Sequence, residues 1–381
     1  MKSLSFAHFQ TRGWQGLEEA REIDSPETVV FAFCSPLYKE EPNALSELKS
    51  AFPNSVVVGC STSGEIHQGE IHDLSISAAA LQLDKSRIKA SRVTVNDPQL
   101  SKELGEALIQ PLLEDDLQGV FVFSDGLAVN GSALSAGINK VLGETGIVCG
   151  GGLAGDGNHF QSTWTMYQGE IEEGQVIAIG FYGEALSITH GSKGGWDIFG
   201  PERVITRSRG HVVLTIDDKP ALDLYKTYLG EMADGLPATG LLFPLQIREN
   251  AEAERKLVRT CLATDDDEGS ITFAGDVPEG WLAQFMTANF ERVIDGAGEA
   301  AEEAIFENEG QSVNLAVSCV GRRLVLGERA DEEIELLEET LGSESKILGF
   351  YSYGEIAPHT KGSPCELHNQ TMTIFRIAEA A

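Results

Sequence analysis

Residues 56–66 read VVVGCSTSGEI, and residues 347–358 read ILGFYSYGEIAP. The two stretches align through G-x4-G-E-I, which pairs Gly59 with Gly349, Gly64 with Gly354 and Glu65 with Glu355. Each is an apolar run that empties into a glycine turn of small polar groups. The match extends upstream. Residues 28–66 read as strand TVVFAFCS, helix PNALSELKSAF and strand SVVVGC. Residues 119–157 repeat the order as GVFVFSDG, GSALSAGINKVLG and GIVCGGGLAGDG. Residues 313–356 do so again as VNLAVSCVG, ADEEIELLEETLG and KILGFYSYGEI.

Each helix carries an apolar stripe: Leu45, Leu48 and Phe52; Leu134, Ile138, Val141 and Leu142; Ile334, Leu337 and Leu341. Such spacings put one helical face on a sheet. The strands are nearly continuous apolar runs, as expected when both faces are covered. Two strands joined by such a helix are most simply parallel. Each unit then delivers a glycine-rich turn at the C-terminal end of its second strand, where open α/β sheets hold ligands.

The expected fold is therefore α/β, with two related lobes of mixed, largely parallel sheets built from repeated β-α-β units. Alternating segments SISAAALQL (75–83), VIAIGFYG (176–183) and HVVLTIDD (211–218) read as antiparallel strands. A boundary near 215 divides the chain into domains 1–215 and 216–381. The second opens on PALDLYKTYLG, where Pro220 suits the first turn of a helix. A later helix is expected from about Trp281, with Trp281, Phe285 and Ile294 apolar, loosening at Gly296 and Gly298.

Composition excludes some classes of function. With 59 acidic and 28 basic residues in 381, the net charge is −31, which repels nucleic acid and anionic lipid. The N-terminal MKSLSFAHFQTRGWQG has no apolar core of a signal peptide, and no stretch approaches the ~20 apolar residues of a membrane span. A soluble, cytoplasmic protein is expected. Six cysteines without a CxxC pair read as reduced, buried small hydrophobes.

The motifs argue against local catalysis. The run Gly59 to Gly64 is one residue longer than a G-x-S-x-G nucleophile elbow, and Phe350 stands where the first turn has Cys60. Gly150 to Gly155 matches G-x-G-x-x-G but is not followed by a helix, so it suits close backbone approach to a ligand better than a dinucleotide. His67 and His72 flank Glu70 at a spacing that fits neither one helical face nor one strand face. His359, Cys365 and His368 lack the fourth ligand of a closed zinc site. His190, in SITHGSKGGW, reads either as a satisfied loop histidine or as a pocket ligand axial to haem. His8, His159 and His211 are not separable from it on sequence.

Taken together, these stretches resemble the FIST family of two-part sensory domains. The resemblance rests on VVVGCSTSGEI (56–66), FSDGLAVNGSAL (123–134), GGGLAGDG (150–157), the His190–Gly200 stretch, VITRSRGHVVLTIDDKPALDLYKTYLG (204–230), GDVPEGW (275–281), GFYSYGEIAP (349–358) and LHNQTMT (367–373). It implies a small-molecule sensor, not an enzyme, with ligands such as amino acids. A stand-alone subgroup looks like haem-containing nitric-oxide sensors that regulate a separate histidine kinase or cyclic-di-GMP enzyme. This chain is similar to that subgroup in length and in lacking a fused output domain, and a homodimer is compatible with the reading. Many relatives place His-Gly-Trp where this sequence has His190-Gly-Ser-Lys-Gly-Gly-Trp196, which shifts His190 from the tryptophan.

These readings meet at the repeated turns. The expected ligand cleft is walled by Cys60, Ser61, Ser63 and Glu65 on one side and by Tyr351, Ser352, Tyr353 and Glu355 on the other. Gly152, Asp156 and His368 complete the candidate contacts, with His190 as the haem ligand. Glu65 and Glu355 are expected to brace backbone amides, since their repetition suggests architecture. Two other classes stay in competition: a hydrolase or transferase using Cys60 or Ser61, and a scaffold with a closed, ligand-free cleft.

Overall fold

The computed structural model describes residues 1–95, 97–143, 145–305, 311–342 and 345–380. The three repeated units form, each around its own parallel strand pair. Thr28–Cys34 runs beside Val56–Ser61, Leu117–Ser124 beside Val148–Leu153, and Ser312–Cys319 beside Ser345–Ser352. The expected helices connect them at Asn43–Ala51, Gly131–Leu142 and Ala330–Leu341. Their apolar stripes face the sheets: Leu45, Leu48, Leu134, Ile138, Ile334 and Leu337 are all buried. The class is α/β with mixed sheets, parallel pairing being confined to the central pair of each unit.

Each unit has a sheet of its own, and the three sheets have the same order. Next to each first strand lies an antiparallel strand, Ser75–Gln82, Gln175–Tyr182 or Met372–Glu379. Next to each second strand lies a short strand lent by another unit. Thr165–Tyr167, after the second turn, pairs with Val56–Ser61 of the first unit. Gly354–Pro358, after the third turn, pairs with Val148–Leu153 of the second. Glu65–His67, after the first turn, pairs with Ser345–Ser352 of the third. The exchange is cyclic, so every sheet needs residues from two units to be complete.

Inward faces of the three sheets meet in one core containing Phe31, Phe33, Phe121, Phe123, Phe350 and Phe375, each at most 1% exposed. Phe33 and Phe350 stack at 4.8 Å, and Phe121 meets Phe375 edge-on at 5.3 Å. Truncating such a side chain to alanine costs about 3–5 kcal/mol. Aromatic rings from all three units therefore lock the exchange in place.

An eight-stranded antiparallel sheet spans residues 197–287 and interrupts the third unit after its strand Leu186–Lys193. Residue 215 lies inside strand Val212–Ile216 of this sheet, and the third unit's sheet draws strands from both sides of it. The expected helix forms as Ala221–Leu229, with Pro220 immediately before its first turn. The helix expected from Trp281 is corrected: Leu282–Thr287 is a strand between Asp197–Arg209 and Leu245–Arg248. Helix Phe290–Ala304 begins only after Asn289, whose side chain caps Arg292 N. It runs unbroken through Gly296 and Gly298, because a Cβ at Gly298 would meet Leu336 at 3.0 Å and close packing outweighs propensity there.

All six cysteines are buried and free. Among the described residues, no helix is long and apolar enough to cross a membrane.

Candidate functional site

The three turns converge and bond to one another. Ser63 N donates to Tyr351 O at 2.8 Å, and Tyr351 N returns a bond to Gly64 O at 2.9 Å. Gly155 N donates to Ser61 O, and Tyr353 N to Leu153 O. The Ser63 hydroxyl accepts from Gly157 N at 3.1 Å and donates to Gly157 O at 3.2 Å. A Cβ at Gly155 would stand 2.2 Å from that hydroxyl, so only glycine permits the approach.

Inside this junction the expected cleft residues are packed, not open to solvent. Cys60, Ser61, Tyr351, Ser352 and Glu355 are fully buried, with Ser63 and Glu65 at most 3% exposed. Burial holds the Cys60 thiol well above its ordinary pKa, which disfavours the thiolate a nucleophile needs. Ser61 Oγ accepts from Trp164 N at 3.1 Å. The Tyr351 hydroxyl donates to Glu333 at 2.8 Å. Gly152 lets two sheets close together, since a Cβ there would lie 2.6 Å from Val317. His368 is buried, which pushes its pKa down to about 3, and the neutral ring donates to Ala357 O at 3.0 Å.

Both glutamates brace turns. Glu65 accepts from the Thr62 hydroxyl and from Ser75 N and Oγ, the latter at 3.1 and 2.7 Å. Glu355 accepts from Ser352 Oγ at 2.7 Å and from Thr371 N and Oγ1 at 3.2 and 2.9 Å. Desolvation raises them to about 7 and about 8 respectively, against the opposing pull of these bonds. The second unit has Thr165 in the equivalent place, donating to Gln175 at 3.3 Å.

What the second unit has instead is a longer connection. From Leu153 the chain runs to Thr165 before the next strand begins. Asp156 organises this loop by accepting from Phe160 N, Gln161 N and Ser162 N at 2.8–2.9 Å, and from the Tyr353 hydroxyl. Burial acts to raise the Asp156 carboxyl, yet hydrogen bonds from Tyr353, Ser162, Gln161 and Phe160 bring it below its ordinary value. Phe160 is held at φ 53°, an uncommon conformation for an aromatic residue. The residue is 45% exposed, and its ring stacks on Tyr353 at 4.5 Å.

This stacked pair walls a cavity of about 430 Å³ between the second unit and the inserted sheet. Its other walls include the loop 126–131, Leu153, Leu367, His211, Leu262 and residues 273–276. Asp125 shapes the loop, accepting from Leu127 N, Ala128 N and Thr163 Oγ1 at 2.7–2.9 Å and from Gly174 N at 3.0 Å. Asn130 caps helix Gly131–Leu142 through Ala133 N and donates to Asp276 at 3.2 Å, while Asp276 N donates to the Ser132 hydroxyl. The helix start and the inserted sheet are thus tied together at the cavity floor. An apolar space with a few convergent polar groups is the usual form of a small-molecule site. A more polar groove of about 650 Å³, lined by Phe9, Arg12, His67 and His72 among others, gathers none of the repeated-turn residues.

Of the residues expected to wall the cleft, Tyr353 lines this cavity, with Asp156 behind it, and His211, one of the histidines the sequence left level with His190, lines it as well. Phe160, Asn130 and Asp276 were missed, although Asn130 and Asp276 lie within FSDGLAVNGSAL and GDVPEGW. His190 faces Phe375 across a strand pair, with its Nδ1 buried and unpartnered. It walls neither of these cavities, so the ring offers a ligating nitrogen without a slot for a macrocycle there. Among the described residues, no group of three or more His, Cys, Asp or Glu is placed to hold a metal ion.

The FIST N domain profile matches residues 28–219 and the FIST C domain profile residues 221–358. No match emerges among curated proteins. Among solved structures, a cyanuric acid hydrolase from A. caulinodans aligns over 100% of this chain and 99% of its own, at 10% identity and a TM-score of 0.40. A chorismatase aligns over 100% and 98%, at 10% identity and a TM-score of 0.36. Likenesses this weak carry no functional argument. FIST domains are sensory, ligand-binding units of signal transduction, and this chain, matched by both of them, belongs to the FIST family.

Proposed function

We propose that the protein is a sensor that binds a small organic molecule in the cavity beside Phe160 and Tyr353. Its occupancy is passed to a separate histidine kinase or cyclic-di-GMP enzyme. One observation carries the reading: the exposed apolar side chains Leu127, Phe160 and Leu262 gather around Asn130 and Asp276 at a single cavity. Isolated exposed hydrophobes need no explanation, but a cluster with convergent polar groups does. The aromatic pair suits a ring or apolar chain, and the Asp276 carboxylate suits an ammonium or another donor. An amino acid with an apolar side chain has both parts. Because the cavity joins the second unit to the inserted sheet, a ligand there tightens one part against the other. The test is a thermal-shift and calorimetric screen of the twenty amino acids on the purified chain. A saturable rise in Tm by an apolar or aromatic member, lost in Phe160→Ala and Asp276→Asn, supports the reading. The absence of any rise sinks the amino-acid ligand.

A second reading keeps haem and nitric oxide, and it rests on the buried, unpartnered Nδ1 of His190. Burial lowers this ring's pKa, which keeps it in the neutral form that ligates iron. The absorption spectrum of protein expressed with haem supply decides it. A stoichiometric Soret band that shifts with nitric oxide and disappears in His190→Ala supports this reading. Protein that stays colourless with added haemin rejects it.

A further inference from the structure

We infer that a second cavity, next to the first, is a binding site for a small oxyanion, a carboxylate or a phosphate. Its volume is about 600 Å³, and its walls include Ser132, Ser135 and Asn139 of helix Gly131–Leu142, together with Arg259, His359 and Glu366. The three helix residues fall on one face by their spacing.

Arg259 carries the argument. It is 3% exposed, and its three hydrogen bonds all go to backbone carbonyls. Nε donates to Asp276 O at 2.9 Å, and Nη1 to Val258 O and Leu367 O at 3.0 and 3.1 Å. Among the described residues, no hydrogen bond uses Nη2 and no carboxylate forms an ion pair with Arg259. A second deeply buried arginine is treated differently. Arg322, fully buried, is held in a fork by Glu333 at 3.0 and 2.8 Å. A buried guanidinium with no carboxylate in contact is costly; burial draws Arg259 down only to about 10, against the favourable charge of the nearby Asp276 carboxylate, so it stays charged at neutral pH.

Another group points the same way. The Ser135 hydroxyl, on a residue 3% exposed, is buried in the cavity wall and has no hydrogen-bond partner. A guanidinium nitrogen and a hydroxyl, both donors without acceptors, complement an oxygen anion. Arg255 and His359 add donors at the rim. Glu254 and Glu366 also line the space, and Glu366 is engaged by Arg255.

Titration of the full chain with potassium phosphate, acetate or succinate tests this, using calorimetry and thermal shift, with potassium chloride at matched ionic strength as the baseline. Saturable binding of at least one oxyanion is expected. Phosphate alone identifies a phosphoryl ligand, and acetate or succinate alone a carboxylate. Ser135→Ala weakens binding about tenfold and Arg259→Gln abolishes it. Where Arg259→Gln does not fold, Ser135→Ala decides. Absence of saturable binding in the native chain, or equal affinity in native and Ser135→Ala protein, overturns the proposal. Phe160→Ala leaves oxyanion binding unchanged, so failure here is distinct from failure of the sensor site beside it.

Discussion

The first and third turns carry the same G-E-I sequence and the same glutamate brace, whereas the second has Thr165 in that place and an eleven-residue loop, 154–164, ahead of it. The two similar turns are closed, their glutamates satisfied by buried hydroxyls and amides, and only Tyr353 of the third reaches the cavity. The dissimilar one displays Phe160 and, with the inserted sheet, walls a cavity. Repetition here marks what the fold requires three times over. The proposed site lies where the repeat is broken, by a longer loop in one unit and an insertion in another.

Removing a brace is the harshest way to probe this contrast. Glu355→Ala leaves Ser352 Oγ and Thr371 N and Oγ1 buried without their acceptor, and costs about 2–4 kcal/mol in denaturant unfolding. Glu65→Ala behaves alike for Thr62 and Ser75. Losses below about 0.5 kcal/mol in both would erase the distinction between architectural and functional turns.

Titration gives the next largest effect. The folded-state pKa values of Glu65 and Glu355, about 7 and about 8, lie above the ordinary 4.5. The native state therefore holds protons that the unfolded chain releases. The stabilisation is complete below the ordinary carboxylate range and is lost as pH rises from there through 7 to 8. We expect the unfolding free energy to fall steadily across that window, because the folded chain binds these two protons more tightly than the unfolded one. The Glu65→Gln, Glu355→Gln double variant should show a flatter profile. An unchanged slope would mean that these carboxyls titrate normally.

Asp156→Asn probes the open turn. It weakens the anchoring of the Phe160, Gln161 and Ser162 amides and costs about 1–2 kcal/mol. Hydrogen exchange at those three amides should quicken while the Ser75 and Thr371 amides keep their protection.

Phe160→Ala is expected to change stability least, within about 0.5 kcal/mol, because nearly half of the residue faces solvent. Its effect should fall on ligand affinity, about tenfold, in keeping with one lost aromatic contact. A large loss of stability with intact binding would move Phe160 into the architectural class.

Much of this was legible in the chain. The strands Thr28–Cys34, Val56–Ser61 and their counterparts announce themselves by continuous apolar runs. The helices do so by stripes such as Leu134, Ile138 and Leu142, because burial on one face leaves a period in the sequence. Where that period is ambiguous the reading failed. Trp281 and Phe285 stand one helical turn apart, yet Leu282–Thr287 is a strand, because pairing on both sides outweighs a sparse local pattern.

Three β-α-β units, glycine turns at their ends and glutamates suited to bracing two of them follow from the residues alone, since local sterics and periodicity act over a few residues. Long-range packing sets which unit receives each short strand, which turns are closed, and that Phe160, Asn130 and Asp276 share a cavity. Segments such as Glu65–His67 and Thr165–Tyr167 are too short to encode a partner, and their pairing is fixed by the aromatic core that all three units build together.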